Sequence, residues 1–113
     1  MVKLEVVIQP FKLNDVKAAL EALGLERISI FEVLENGGPA SPRAFYRGAA
    51  YCVDVPRVKL EMLVSSERAG EVIDAISLAA RTRSADDDGI IVMYEVADAV
   101  RIRDGVHLQY ALA

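Results

Sequence analysis

The chain has 113 residues, a length typical of one compact domain, and its 53% hydrophobic and 27% charged content exclude a disordered protein. A formal net charge of −4 argues against broad binding to nucleic acid or anionic membranes, which requires a basic surface. No apolar run reaches the ~18 residues that a membrane-spanning helix needs. The single cysteine, Cys52, excludes internal disulfides and indicates a reducing compartment. We therefore expect a cytoplasmic protein without direct membrane insertion.

The first third of the chain predicts a strand, a helix and a second strand. Apolar residues occupy every second position in residues 2–8, which is the period of a β-strand, and Pro10 ends it. An amphipathic helix follows, with Asn14 as its expected N-cap and Gly24 just beyond its end. Residues 27–35 are rich in β-branched and aromatic residues and predict the second strand.

The remainder predicts a second copy of the same pattern after a long connection. Residues 57–64 alternate and predict a third strand. Ser65 and Ser66 are candidate caps for a second amphipathic helix. A polar loop then leads into a fourth apolar strand at residues 90–96.

The predicted order β-α-β-β-α-β indicates the fold class. With right-handed crossovers, this order gives an α+β, ferredoxin-like domain in which an antiparallel sheet carries two helices on one face. Strands two and four have apolar residues on both of their sides, whereas a half-solvated strand alternates more cleanly. We therefore expect the open face of the sheet to be covered by other subunits of a homo-oligomer.

Three stretches of the sequence resemble the PII signal-transduction family. They are "QPFKLNDVKAAL" at the first helix, "YRGAAYCVDVPRVKLEMLV" at the third strand, and "VADAVRIRDG" near the C-terminus. The resemblance covers nearly the whole chain and implies one domain, residues 1–113, that forms a homotrimer and is a regulator rather than an enzyme. It also implies a long effector loop at about residues 36–53, a phosphate-side loop at about 82–89 and a tail at 97–113.

The resemblance implies adenine nucleotides bound in clefts between subunits. Ser29 falls where the family has a small hydroxyl residue near the adenine, and Gly89 stands at its phosphate-binding turn. Arg101 and Arg103 match two tail arginines that reach phosphate and ribose; lying two apart, they would point the same way in an extended tail. The nucleotide-binding candidates are Val7, Ser29, Gly37, Gly38, Glu61, Leu63, Asp88, Gly89, Arg101 and Arg103.

The phosphate-side loop departs from the family pattern. It contains three consecutive aspartates, Asp86, Asp87 and Asp88, and Ile90 replaces the family's lysine. Anions close to a polyphosphate raise the free energy of its binding unless a cation intervenes. We therefore expect ADP or AMP to be favoured over ATP, with recruitment of Mg²⁺ by the aspartates as a competing possibility.

The effector loop departs as well. Pro39 replaces the glutamine that helps nitrogen-sensing members chelate Mg²⁺ with 2-oxoglutarate, and Gly38 replaces an arginine. Branches of the family without this site are linked to inorganic-carbon uptake and carboxysomes, and some respond to bicarbonate. Tyr51 falls at a position that some members modify with a nucleotidyl group, and Arg47 lies close to it.

Three functions compete on these grounds. The favoured one is a regulator that binds adenine nucleotides and signals energy or inorganic-carbon status, with bicarbonate as a further ligand, to a target transporter or enzyme. The alternative within the family is a nitrogen-regulatory protein that senses ATP, ADP and 2-oxoglutarate. A trimeric metal-binding protein of the divalent-cation-tolerance type, which shares the fold, is the alternative from another class.

Overall fold

The computed structural model describes residues 1–37, 43–82 and 87–108. Its elements are β1 (Val2–Ile8), α1 (Leu13–Ala22), β2 (Ser29–Glu35), β3 (Arg43–Tyr46), β4 (Ala49–Cys52), β5 (Val55–Val64), α2 (Ala69–Ala80) and β6 (Gly89–Glu95). The main sheet has the order β2-β5-β1-β6, and all neighbours are antiparallel. This is the expected ferredoxin-like arrangement. No helix in the described ranges is long and apolar enough to cross a membrane.

The core lies between one face of the sheet and the two helices. Side chains on β1 alternate between buried and partly exposed along its whole length, which confirms the period of two. The same alternation in β5 adds a second row of buried apolar side chains, and both helices pack their apolar faces onto these rows. The buried core residues are Val2, Leu4, Val6, Ile8, Val16, Leu20, Val58, Leu60, Met62, Val64, Ala69, Val72, Ile76 and Ala80.

The opposite face of the sheet combines a charged centre with an apolar rim. At the centre, Lys3 lies 3.6 Å from Glu61, and Lys59 lies 3.8 Å from the same carboxylate. Three large apolar side chains of the edge strands surround this centre and remain 42–59% exposed, namely Phe31, Ile90 and Tyr94. The two edge strands therefore present apolar side chains on the open face, as the sequence predicts.

The first helix does not use its predicted cap. α1 begins at Leu13, with Lys12 in the N-cap position and no side-chain cap hydrogen bond, so the prediction for Asn14 is wrong. The reason lies in the preceding 3-10 turn, Pro10–Lys12, because the Leu13 N–H already donates to the Pro10 carbonyl. Gly24 ends the helix as expected, with a φ of 79°.

The second helix also begins later than its predicted caps. α2 starts at Ala69, with Arg68 as N-cap and again no side-chain cap hydrogen bond. The carbonyl of Ser65 accepts from the Arg68 N–H at 3.1 Å, while the hydroxyl of Ser66 accepts from the Met1 amino group at 2.8 Å. The two serines therefore shape the turn between β5 and α2 and tie down the N-terminus.

The long connection contains structure that its composition did not predict. Strands β3 and β4 form a separate two-stranded antiparallel sheet. The chain reverses at Arg47 and Gly48, whose positive φ values of 52° and 80° suit a tight hairpin turn. At the base, the Asn36 amide donates to the Cys52 carbonyl and to the Asp54 carboxylate, both at 2.9 Å. We call residues 43–52 the effector hairpin.

Gly89 occupies a position that only glycine can fill. It opens β6 opposite Ile8 with a φ of +110°, a conformation that L side chains rarely adopt. A Cβ atom there would lie 1.8 Å from the Val7 carbonyl oxygen. The close approach of β6 to β1 therefore depends on this residue.

Replacing Gly89 with alanine should destabilise the fold by at least about 3 kcal/mol, because a backbone clash adds to the strain of a positive φ. Gly48→Ala is the matched control, since Gly48 has a φ of +80° but no atom within 4 Å of the added Cβ. The control should lose only about 1–2 kcal/mol. Urea unfolding of both variants measures the difference, and equal losses would contradict the role given to the Val7 carbonyl.

Candidate functional site

The nucleotide-binding candidates separate into two groups at opposite ends of the main sheet. Val7, Asp88 and Gly89 form the first group and line a cavity of about 380 Å³ where β1 ends and β6 begins. Gly37 follows the end of β2 on the same side, because Glu35 pairs with the first residue of β5. Gly38 lies outside the described residues. We call this the glycine end.

The acidic side chains at the glycine end accept hydrogen bonds from neighbouring residues of the protein. The Asp88 carboxylate accepts hydrogen bonds from the Thr82 hydroxyl at 2.7 Å and from the Thr82 backbone N–H at 3.1 Å. The Asp87 carboxylate accepts the Gly89 N–H at 3.0 Å, while its backbone carbonyl accepts from the Gln9 amide at 2.8 Å. Asp86 lies outside the described residues. The Gly89 N–H could donate a hydrogen bond to a phosphate oxygen, but it already donates to the Asp87 carboxylate.

The second group lies where β5 ends and the tail returns to the sheet. Ser29, Glu61, Leu63 and Arg101 line a cavity of about 490 Å³, and Ser29 pairs directly with Glu61 across β2 and β5. Arg27 also lines this cavity. The cavity combines apolar surface, a hydroxyl and cations, which is the chemistry that a nucleotide requires. We call this the arginine end.

The tail at the arginine end is folded back on itself. The Arg101 N–H donates to the Val106 carbonyl at 2.9 Å, and the Gly105 N–H donates to the Arg101 carbonyl at 2.8 Å. The expectation that Arg101 and Arg103 share a direction because the tail is extended is therefore wrong. The turn still brings both arginines to one cavity of about 620 Å³, which adjoins the first through Arg27, Arg101 and Leu108.

Asp104 holds the guanidinium of Arg101. Its carboxylate accepts from Nη2 at 2.7 Å and from Nε at 3.1 Å. This hydrogen bonding lowers the pKa of Asp104 and raises the pKa of Arg101, so both groups are charged at neutral pH. A guanidinium has five N–H donors, so the bond to Asp104 leaves one edge of Arg101 free for another anion.

Sequence reasoning missed two residues at the arginine end. Arg27 lies two positions before Ser29, so a strand geometry would have placed both on one side. Asp104 lies three positions after Arg101, a spacing that brings side chains together in a turn. Neither spacing is specific unless it is known that the tail folds back to this end of the sheet.

The two ends do not form one continuous site within a single chain. The two cavities at the ends of β1 have no lining residue in common. Lys3 and Val7, one at each end, are four positions apart in β1, which corresponds to about 13 Å. The charged cluster of Glu5, Lys59 and Glu61 lies between them.

The effector hairpin presents aromatic and basic side chains to solvent. Arg47 lies at its tip with its guanidinium 5.3 Å from the centre of the Tyr46 ring. Tyr51 on β4 is 49% exposed and Phe45 on β3 is 77% exposed. Aromatic residues and arginine are the residues most often found at the centres of protein interfaces.

The described ranges contain no group of three or more His, Cys, Asp or Glu side chains arranged to hold a metal ion. In those ranges, the only histidine at ion-pair distance from a carboxylate is His107, whose Nδ1 lies 2.5 Å from an Asp98 carboxylate oxygen in the tail. This pair spans the base of the tail turn, next to the bridge between Val100 and His107. It therefore has a structural explanation.

Comparisons with known proteins agree with this architecture. Residues 1–106 match the family described as "Nitrogen regulatory protein P-II". The protein of that name from Rhodobacter capsulatus is 42% identical over 106 residues, 93% of this chain and 94% of the relative. "Nitrogen regulatory protein P-II 1" from Methanothermobacter thermautotrophicus is 43% identical over 108 residues, 95% of this chain and 93% of the relative.

A solved structure extends the agreement to three dimensions. The structure described as "Crystal Structure of Arabidopsis thaliana PII bound to citrate" superposes with a TM-score of 0.72 at 27% identity. The match covers 94% of this chain and 86% of that chain. With the family match over residues 1–106, these similarities establish that the chain belongs to the P-II family of regulatory signalling proteins.

Proposed function

We propose that the protein is a nitrogen-regulatory signal transducer that binds an adenine nucleotide in a cleft between two copies of the chain. The observation that carries this proposal is the separation of the candidate residues into a glycine end and an arginine end on one sheet. A second copy that sets its glycine end against the arginine end of the first would complete the cleft. The effector hairpin would then report the bound state to a target protein.

The relatives favour nitrogen regulation over the carbon-associated function that the sequence departures suggested. The matching family and both relatives described above carry nitrogen regulation in their names. The same match favours the P-II family over the metal-binding alternative with the same fold. Pro39 replaces the glutamine that chelates Mg²⁺ with 2-oxoglutarate and therefore predicts the loss of this ligand. Because Pro39 lies outside the described residues, this loss stays a prediction, as do bicarbonate binding and a carboxysome association.

The homotrimer is part of the proposal, and the open face of the sheet supports it. Phe31, Ile90 and Tyr94 expose apolar surface around a charged centre on that face. Burial of apolar area stabilises association by about 25 cal/mol per Å². A closed ring of three copies would cover this face in every subunit and use the same contact three times.

The preference for ADP or AMP over ATP also belongs to the proposal. The Asp87 side chain already accepts the hydrogen bond of the Gly89 N–H, so a terminal phosphate would have to displace it. Ile90 offers no cation at this end. The Asp87 carboxylate accepts a hydrogen bond from Gly89, and the Asp88 carboxylate accepts one from Thr82. These internal hydrogen bonds favour a structural role for the two aspartates over recruitment of Mg²⁺.

Assembly and nucleotide binding should be lost together when the open face carries an extra cation. Phe31→Lys places an ammonium beside Lys59, which lies 5.0 Å from the centre of the Phe31 ring. Wild type should show three times the mass of one chain by light scattering and bind one ADP per chain by calorimetry. The variant should be monomeric and lose ADP binding.

Phe11→Lys is the control for this experiment, because Phe11 is 69% exposed and precedes α1 rather than lying in the sheet. It should assemble and bind like wild type. Wild-type protein that binds no ADP at millimolar concentration would refute the proposed function. A monomer that binds ADP as tightly as wild type would refute the shared cleft.

Restoring a cation at the glycine end should shift the preference towards ATP. In Ile90→Lys combined with Asp87→Asn, one positive charge is added and one negative charge is removed close to the Gly89 N–H. A charge-assisted contact of about 1.5–3 kcal/mol corresponds to a gain of at least about tenfold in ATP affinity. Leu78→Lys combined with Asp74→Asn makes the same change of net charge at two exposed positions of α2 that do not line the cavity, and it serves as the control. Equal gains in both proteins would contradict the site-specific explanation.

A further inference from the structure

We propose that Arg27 is a ligand-binding residue of the arginine end, where it binds the diphosphate of a nucleotide together with Arg101 and Arg103. The proposal deepens the proposed nucleotide binding and rests on it for the identity of the natural ligand. The diphosphate chemistry itself follows from the residues of the pocket and can be tested separately.

The position of Arg27 is the first argument. It follows α1, precedes β2 and lines both cavities of the arginine end. One cavity adds Ser29 and Leu63 and suits a base, while the other adds Arg103 and Asp104 and suits an anion. The second cavity, of about 620 Å³, lies within the ~300–1,000 Å³ range typical of ligand pockets. Arg27 therefore stands where a base and a diphosphate would join.

The charge balance is the second argument. The two cavities are lined by four cations, Lys3, Arg27, Arg101 and Arg103, and by two anions, Glu61 and Asp104, a local balance of 4 − 2 = +2. The chain as a whole has a net charge of −4. A positive pocket on a negative protein concentrates anions at that place rather than over the surface.

The distribution of partners is the third argument. Glu61 is engaged by Lys3 and Lys59, and Asp104 is engaged by Arg101. Within the described part of the chain, neither Arg27 nor Arg103 has an acidic side chain within ion-pair distance. Guanidinium groups that share one cavity repel each other, and a bound dianion removes this repulsion. Their planar forks match phosphate oxygens in pairs.

The contrast with the glycine end is the fourth argument. There, the Asp87 carboxylate accepts the hydrogen bond of the Gly89 N–H, and the neighbouring Asp88 carboxylate accepts from Thr82. An anionic group of a ligand is thus disfavoured at the glycine end and favoured at the arginine end. Arg27 supplies charge on the side of the cleft where the acidic loop does not oppose it.

Calorimetric titration of the full-length protein with ADP, and separately with sodium pyrophosphate, tests the role of Arg27. Arg27→Gln should weaken the binding of both ligands at least about tenfold, because it removes one charge-assisted phosphate contact. Arg27→Lys should recover only part of the loss, since an ammonium cannot form the paired contact. Raising the salt concentration should reduce the difference between wild type and Arg27→Gln.

Lys17→Gln is the matched control, because Lys17 is exposed on α1 and lines none of these cavities. It removes the same charge and should bind both ligands within about twofold of wild type. Circular dichroism checks that Arg27→Gln is folded, as expected for an exposed residue without an ion pair.

The outcomes separate this inference from the proposed function. If wild type binds ADP and Arg27→Gln binds it equally well, the role of Arg27 is refuted and the proposed function stands. If wild type binds pyrophosphate in an Arg27-dependent way but does not bind ADP, the anion pocket stands and nucleotide binding is refuted. Absence of binding by both ligands at millimolar concentration refutes both.

Discussion

Strand β1 is hydrogen-bonded along both of its edges, and the alternation of its side chains organises the rest of the molecule. Its buried side chains meet the helices, while Lys3, Glu5 and Val7 face the other way. A shift of one residue in either pairing would exchange the two faces, so both registers are strongly specified. The registers in turn place Ser29, the first residue of β2, opposite Glu61 near the centre of the open face, and Gly89 at one end of the sheet opposite Ile8.

The two ends of this sheet have opposite electrostatic character, which constrains any ligand that spans two subunits. The glycine end offers a close backbone approach but fills its Gly89 donor with Asp87. At the arginine end, basic side chains outnumber acidic ones, and part of the cavity wall is apolar. Because copies related by rotation set one end against the other, each cleft would contain both environments. In the proposed cleft, a ligand with a neutral base and a short anionic group would fit this combination better than a long polyphosphate.

Local pattern predicted the fold well and the details of the ends poorly. In residues 2–8, every second side chain is buried, and this alternation is visible in a short stretch of sequence. The cap predicted at Asn14 failed because an earlier turn satisfies the same N–H groups. The hairpin at residues 43–52 was hidden because its strands are short and rich in alanine. Arg27 gains its significance only because the tail lines the same cavity, and this brings together residues more than 70 positions apart, which no local pattern contains.

The base of the effector hairpin lies next to the glycine end, and this adjacency limits how strongly a ligand could move it. The Asn36 amide, just before the hairpin, donates to the Cys52 carbonyl and the Asp54 carboxylate at the end of the hairpin. Gly37 follows Asn36 and has a φ of +94°. Two exposed hydrogen bonds stabilise this arrangement by about 1–3 kcal/mol. A ligand that binds one hairpin orientation more tightly by the same amount would shift the populations about 5- to 150-fold. Under the proposed function, a modest difference in affinity between two ligands would therefore be enough to change the hairpin orientation, without any rearrangement of the sheet.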